Sequence, residues 1–308
     1  MNKKKIKFSF INYKGLKKSK AISWITAYDY PIAYAAEKAG IDMILIGDSG
    51  GMVQYGFNDT TPVTMEMSID MCKAVRKGAP KTFLVGDMPF GSYEVSDNHA
   101  VKNAVSFIKH GRVDSIKLEG GKRVSSRVKA ISNAGILVFG HLGLTPQSAS
   151  SFGGYKVQGK NIENFEQLIE DAQELEASGA SAILLEAIPE ACSQMIRKYV
   201  DIPILGIGAG GGIDGQLLIA HDVLGLYPNF VPRFAKNYFN IVVQNMIEKK
   251  SDQMLNKKKK FTSLDIYQKA FELYNKEVKN KTFPSEEFIY PIEKNDLNAI
   301  KTSKYWKE

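Results

Sequence analysis

Short apolar runs alternate along this chain with stretches whose apolar residues recur every three to four positions. Side chains alternate across a strand but return to one face of a helix every 3.6 residues, so the two patterns predict strand and helix in turn. Ser23–Ala27, Met43–Ile46, Thr82–Val85, Ser115–Leu118, Ile136–Phe139, Ala182–Leu185 and Pro203–Ile207 read as strands. Tyr30–Ala39, Met65–Lys77, Asp97–His110, Lys122–Asn133, Ile162–Ser178 and Pro189–Tyr199 read as the helices between them. Gly40, Gly78 and Gly111 supply stop signals, Asp97 a cap, and Pro189 a first helical position. After the seventh strand, Gly215–His221 reads as helix and Val223–Leu224 as a last short strand.

Eight strand–helix units over roughly 200 residues predict a (β/α)8 TIM barrel, and near-continuous Ile/Leu/Val strands fit a parallel sheet covered on both faces. Two further helices, Phe239–Lys249 and Ser263–Lys279, follow on either side of the Lys257–Lys260 run, and their apolar spacing suggests packing on the barrel or on a neighbouring subunit. The chain thus divides into a basic extension (residues 1–20), one barrel domain with C-terminal helices (21–292) and an extra tail (293–308). The segment Gly143–Lys160 is long and glycine-rich for a connection, which makes it a lid or binding-loop candidate.

The net charge of +8 would suggest a polyanion partner were it spread over the body. It is not. Residues 1–20 carry eight Lys and no acid, residues 247–308 carry fourteen Lys and ten acids, and the remainder carries 19 basic and 23 acidic groups, a balance of −4. Lys outnumbers Arg 35 to 6, and no aromatic reading pattern accompanies it, so solvated ends are expected rather than a nucleic-acid surface. No apolar run approaches the ~20 residues that cross a bilayer, so no membrane span is expected. The N-terminus lacks a signal-peptide cleavage site. Cys72 and Cys192 have no His or Cys at ligand spacing and read as reduced thiols, in keeping with a cytoplasmic setting.

Four acids each close an apolar run: Asp48, Asp87, Glu119 and Glu186. A charge at the tip of a buried strand is costly unless something uses it, and barrel active sites lie at those tips. Turn or cap aspartates are the plain alternative. Taken together, Asp48, Asp87 and Glu119 offer three hard oxygen donors, which suits Mg2+ better than Zn2+. Lys117 shares a strand face with Glu119, either as a structural ion pair or as an anchor for a substrate carboxylate. His141 ends a strand in the same mouth, as a structural group or a substrate contact. Glu186 is the general-base candidate, since partial burial raises a carboxylate's pKa, although a helix N-terminal acid would look the same. Gly206 and Gly208 belong to a run, GIGAGG, that satisfies GxGxxG, yet its late position favours a glycine turn admitting substrate or phosphate over a dinucleotide site.

Longer motifs sharpen these expectations: TAYDY (26–30), GDSGGM (47–52), GDMPFGSY (86–93), IKLEGG (116–121), GHLGLTPQ (140–147), FGGYKVQG (152–159), LLEAIP (184–189) and PRFAKNY (232–238). With these the chain resembles the ketopantoate hydroxymethyltransferase family. The resemblance implies a Mg2+-dependent barrel of the phosphoenolpyruvate-utilising type, often a homodecamer, that moves a hydroxymethyl group from 5,10-methylenetetrahydrofolate to 3-methyl-2-oxobutanoate in pantothenate synthesis. It implies Asp48, Asp87 and Glu119 as the metal set, with Asp48, Ser49, Asp87, Lys117 and His141 around the ketoacid and Glu186 as base. Gly50 departs from the larger apolar residue expected there, which would loosen the loop after Ser49. A Mg2+ lyase of the isocitrate-lyase kind would share the acids but would need an active-site Cys or a further acid. A nicotinamide or flavin enzyme would use the 206–211 glycines.

Overall fold

The computed structural model describes residues 21–248 and 262–307, so the basic segment 1–20 and the Lys257–Lys260 run lie outside the described residues. Eight parallel strands close in sequence order into a barrel. They are β1 (Ile22–Thr26), β2 (Met43–Ile46), β3 (Phe83–Asp87), β4 (Ser115–Glu119), β5 (Leu137–Gly143), β6 (Ala182–Glu186), β7 (Ile204–Ile207) and β8 (Gly215–Leu218). Nearly every strand residue is buried, as the unbroken apolar runs require of a sheet with helices outside and packed side chains inside.

The connecting helices are α1 (Tyr30–Lys38), α2 (Gly50–Tyr55), α3 (Met65–Gly78), α4 (Asp97–Ser106), α5 (Ser125–Asn133), α6 (Ile162–Ala177), α7 (Glu190–Lys198) and α8 (Ala220–Leu224). Local chemistry explains most of their starts. Asp29 caps α1, accepting from Ile32 N at 2.8 Å, and Asn161 caps α6 in the same way. Two expectations shift by a residue: Ser96, not Asp97, caps α4 by accepting from His99 N, and Pro189 stands just before α7 rather than inside it. The helix α2, directly after Asp48 and Ser49, was not expected from the pattern.

The larger correction concerns the last unit. Gly215–Leu218 is strand, paired with β1 from Ile22↔Gly215 to Ile25↔Leu218 and with β7 at Leu205↔Gly215, while Ala220–Leu224 is helix. The expected order was the reverse. Closing the barrel requires a strand between β7 and β1, and that pairing outweighs the weak local preference of a four-residue stretch.

Inside the barrel, Trp24 and Phe83 pack against Phe139 with ring centroids 5.7 and 6.4 Å apart. Alternation along β3 and β5 puts Asp87 and His141 on the same inward face as Phe83 and Phe139, further toward the C-terminal rim. An aromatic layer therefore floors a polar one. The C-terminal helices α9 (Tyr238–Glu248) and α10 (Ser263–Asn280) lie against the barrel. The Tyr274 hydroxyl on α10 is within hydrogen-bonding distance of Trp24 O (3.0 Å) and Gln216 O (2.7 Å). Beyond residue 292, α11 (Lys294–Ile300) and the segment after it dock on α6 and α7. Ser303 Oγ donates to Glu166 Oε1 at 2.6 Å, Tyr199 OH donates to Tyr305 O at 2.9 Å, and Trp306 packs against Phe165. Among the described residues no helix is long and apolar enough to cross a membrane.

One buried pair makes the fold sensitive to pH. Burial pushes the α8 residue Asp222 up to about 7 and its neighbour His221 down to about 4, and Asp222 Oδ2 has no hydrogen-bond partner. A carboxyl whose folded pKa lies above its unfolded value stabilises the fold fully below the unfolded value and loses that contribution as pH rises through the folded one. Asp222→Asn removes the loss and leaves His221 in place. Denaturant titrations at pH 5 and pH 8 should show the variant gaining on wild type at the higher pH, by on the order of 2–4 kcal/mol. Equal pH dependence in the two proteins would refute the assignment.

Candidate active site

The polar ring at the barrel mouth is set by strand register. Asp87 on β3 lies opposite Lys117 on β4, Glu119 opposite His141 on β5, and Gly143 opposite Glu186 on β6. Acids that are distant in sequence thus become neighbours. Lys117 Nζ stands 2.8 Å from Asp87 Oδ1, 3.5 Å from Glu119 Oε1 and 3.1 Å from His141 Nδ1. Asp48, at the end of β2, joins through its backbone N–H, which donates to Asp87 Oδ2 at 3.3 Å. Lys117 is 2% exposed and Glu119 1%, so these charges face one another nearly sealed from bulk solvent.

That burial governs the titration of every member. It is the main cause holding Asp48, Asp87, Glu119 and Glu186 above the usual carboxylate range, with Glu119 adding to the rise at Asp48. Burial alone would lower Lys117, but Asp87, Glu119 and Asp48 outweigh it and keep the ammonium charged. Burial, then Lys117, lowers His141. The imidazole is therefore neutral. Because an ammonium can only donate, His141 Nδ1 must accept from Lys117, which leaves the proton on Nε2. Nε2 lies 3.2 Å from Glu186 Oε2, close but out of hydrogen-bond alignment.

Glu186 is the outward member of the ring, its side chain 16% exposed where the others are nearly sealed. Ala187, which follows it, takes a left-handed φ of 50°, an unfavourable conformation for a residue with a Cβ. Gly143 has to be glycine for the same corner, since a Cβ there would stand 2.2 Å from Glu186 O.

Ser49 Oγ pairs with Tyr28 OH at 2.8 Å. Gly50 turns out to be a requirement of that pair, because a Cβ would meet the Tyr28 ring at 2.7 Å and Met71 Sδ at 2.8 Å. The ring and the thioether fill the space a larger residue would take, so the loop after Ser49 is packed rather than loose.

Gly206 and Gly208 are not brought to the ring's polar contacts. A Cβ on Gly206 would strike Ile213 and one on Gly208 would strike Phe234, so both serve packing. The amides of Gly211 and Gly212 already donate to Glu190 Oε1, at 2.6 and 3.1 Å. An internal carboxylate occupies the turn that a phosphate would need. Cys72 and Cys192 are buried on α3 and α7, and burial pushes both thiols up, that of Cys192 to about 12. Neither offers the thiolate a lyase would use.

Sequence reasoning missed Gln147 and Tyr93, although both stand inside quoted motifs. Gln147 donates from Nε2 to Asp48 Oδ2 (2.8 Å) and Met88 O (3.0 Å), and from its backbone N–H to Glu119 Oε2 (3.1 Å). Tyr93 OH donates to Gln147 Oε1 at 2.6 Å. Only the tertiary fold shows that an amide 99 residues from Asp48 holds it in place.

Two unit charges 4 Å apart at a partly buried site repel by about 4 kcal/mol. One ammonium cannot offset the charge of Asp48, Asp87, Glu119 and Glu186, so the ring calls for protons or a further cation. The oxygen donors of Asp48, Asp87 and Glu119 fit a hard divalent ion by type and charge. Among the described residues, however, no three such groups already converge on one cation position. Lys117 stands between Asp87 and Glu119, and Gln147 engages Asp48.

The sequence profile described as ketopantoate hydroxymethyltransferase matches residues 9–249. A 3-methyl-2-oxobutanoate hydroxymethyltransferase of Alkaliphilus metalliredigens is 46% identical over 293 residues, 95% of each chain. Its namesake in Clostridium beijerinckii is 43% identical over 96% of this chain and all of its own. Among solved structures, a phosphonopyruvate hydrolase superposes with a TM-score of 0.56 at 12% identity, covering 87% of this chain and 97% of its own. A 2,3-dimethylmalate lyase of the PEP mutase/isocitrate lyase superfamily does so at 0.54 and 14%, covering 86% and 95%. These two share the fold.

Gln147→Leu should leave Asp48 Oδ2 and Met88 O without their side-chain donor and Tyr93 OH without its acceptor, at about 1–3 kcal/mol each. Thermal denaturation should therefore show a clearly lower midpoint. An unchanged midpoint would mean that Gln147 does not support the ring.

Proposed function

The chain belongs to the ketopantoate hydroxymethyltransferase family, and we propose that its barrel mouth adds a hydroxymethyl group to C3 of 3-methyl-2-oxobutanoate, giving 2-dehydropantoate. The donor in this reading is 5,10-methylenetetrahydrofolate, with Mg2+ as cofactor, in a cytoplasmic homodecamer of the pantothenate pathway. Two buried, unpaired thiols suit a reducing compartment.

The observation that carries the reading is the pairing of a half-sealed carboxylate, Glu186, with a neutral imidazole beside a buried lysine–carboxylate ring. The reaction needs a base that is unprotonated near neutrality yet strong enough to take a proton from carbon, and partial burial tunes a glutamate in that direction. Glu186 takes the C3 proton. His141, its tautomer fixed by Lys117, presents Nε2–H beside Glu186 Oε2 and holds the base toward the mouth. Ser49, aligned by Tyr28, offers a hydroxyl to the ketoacid carboxylate, and the Lys117 ammonium gives that end of the substrate a positive field. Asp48, Asp87 and Glu119 would hold Mg2+, which when bound supplies Lewis-acid stabilisation of charge developing on the 2-oxo oxygen. Water cleaves the two carbon–nitrogen bonds of the donor's methylene bridge, releasing tetrahydrofolate and leaving a formaldehyde-level carbon that keeps the water oxygen. The C3 carbanion adds to that carbon, and the alkoxide formed takes a proton to become the hydroxyl.

The first half of this scheme runs without the donor. In D2O with Mg2+ and ketoacid alone, proton NMR should show loss of the C3 hydrogen, and Glu186→Gln should slow the exchange at least about a hundredfold. Exchange that survives in the variant would rule out Glu186 as the base. Because burial raises Glu186 above its ordinary value of 4.5 and the base acts unprotonated, the wild-type rate should fall with acidification at a pH above that value. EDTA should abolish exchange, and added Mg2+ should restore it. Indifference to EDTA would remove the metal from the scheme.

A further inference from the structure

Gln147 and Tyr93 meet no substrate in the scheme above, yet both are buried and tied into the ring. Residue 147 reaches two of the acids at once. Its side-chain Nε2 donates to Asp48 Oδ2 at 2.8 Å, and its backbone N–H donates to Glu119 Oε2 at 3.1 Å. A carboxylate with one oxygen tied can no longer turn freely about its last bond, so one residue fixes the planes of Asp48 and Glu119 together. Asp48 passes the constraint on, because its own backbone N–H donates to Asp87 Oδ2 at 3.3 Å.

The direction of the Gln147 amide is itself determined. Nε2 lies against two acceptors, the Asp48 carboxylate and Met88 O, while Oε1 lies 2.6 Å from the Tyr93 hydroxyl. That hydroxyl has one proton to give. Its other acceptor, Glu119 O, is 3.4 Å away, so the proton goes to Gln147, and Glu119 N donates to the phenol oxygen at 3.3 Å. A flipped amide would turn its carbonyl toward both acceptors, losing two hydrogen bonds to recover one.

Tyr93 in turn is held from outside the ring. Arg127 on α5 donates from Nε to Tyr93 O at 3.2 Å and from Nη2 to Glu94 O at 3.1 Å, and Asn103 on α4 donates to Ser92 O at 2.7 Å. The loop after β3 that carries the phenol is thereby clamped to two helices of the barrel wall. Helices, loop, phenol and amide form one series that ends on the acids proposed for Mg2+.

We infer that Tyr93 and Gln147 are positioning residues for the divalent cation: the phenol fixes the amide, and the amide fixes Asp48 and Glu119 in an orientation that selects Mg2+ over Ca2+. The inference rests on the Mg2+ of the proposed function and adds what makes these acids choose it. Mg2+ demands near-octahedral geometry, keeps several of its waters and takes only one or two carboxylates directly. Ca2+ sheds its water for about six to eight oxygens in flexible arrangements, and gains when acids can swing inward. Among the described residues no three of these groups already close on one cation position, and the bonds from residue 147 resist such a closure. A fixed, open set of acids therefore suits the smaller ion.

Tyr93→Phe and Gln147→Met test this in the full-length protein, freed of metal with EDTA. The first removes only a hydroxyl, and the second keeps the length of the side chain without its polar atoms and is measured well below its thermal midpoint. Mn2+, which favours the same oxygen donors, is bound first, followed by electron paramagnetic resonance, and displaced with Mg2+ or Ca2+. Each variant should raise the Mg2+ dissociation constant at least about tenfold and that of Ca2+ by no more than about threefold. Because Tyr93 acts through Gln147, the double variant should match Gln147→Met within about twofold instead of multiplying the two effects. Unchanged Mg2+ affinity in both single variants would overturn the inference, as would equal losses for Mg2+ and Ca2+, which would assign the pair to the fold alone. Multiplied effects in the double variant would also overturn it, by breaking the link from phenol to amide. Failure of the wild-type protein to bind Mg2+ at all is a different result, which would sink the proposed cofactor and this inference with it.

Discussion

Everything at the mouth of this barrel depends on holding Asp48, Asp87, Glu119 and Glu186 out of water around a single lysine. Isolated buried charges of this kind would unfold a marginally stable domain, so each must be matched by a donor or a counter-charge. Lys117 answers Asp87 and Glu119, Gln147 answers Asp48 and Glu119, and Tyr93 holds Gln147 in turn. The ring is left with excess negative charge. It favours a bound cation, and it keeps the carboxyl groups weak acids ready to exchange protons.

The same burial separates the roles within the ring. Groups sealed to a few per cent exposure, such as Lys117 and His141, set the field and the tautomer. Glu186, wetter than they are, can meet a substrate and give up a proton to solvent afterwards. A neutral imidazole between an ammonium and a carboxylate is a consequence of geometry: the ammonium forbids a proton on Nδ1. The ring therefore carries its polarity in a fixed direction, from Lys117 through His141 to Glu186.

Much of this was legible in the sequence. Apolar runs closed by Asp48, Asp87, Glu119 and Glu186 announced parallel strands with charged tips, because burying a strand on both faces leaves nowhere else for a carboxylate. The family motifs pointed to Ser49, Lys117 and His141, which the structure places at the same barrel mouth. Where the reading failed, a long-range requirement overrode a weak local one. The stretch 215–224 reversed its strand and helix because a barrel must close on β1, and Gly50, expected to loosen a loop, instead makes room for Tyr28 and Met71.

The chain alone fixed the alternation of elements, the barrel class and the identity of the acids, since these follow from side-chain period and from the cost of exposing apolar surface. Tertiary structure decided who touches whom. Register placed Lys117 between Asp87 and Glu119, and the fold carried Gln147 to Asp48 across 99 residues. Such contacts depend on orientation and distance in space, and no periodicity along a chain encodes them.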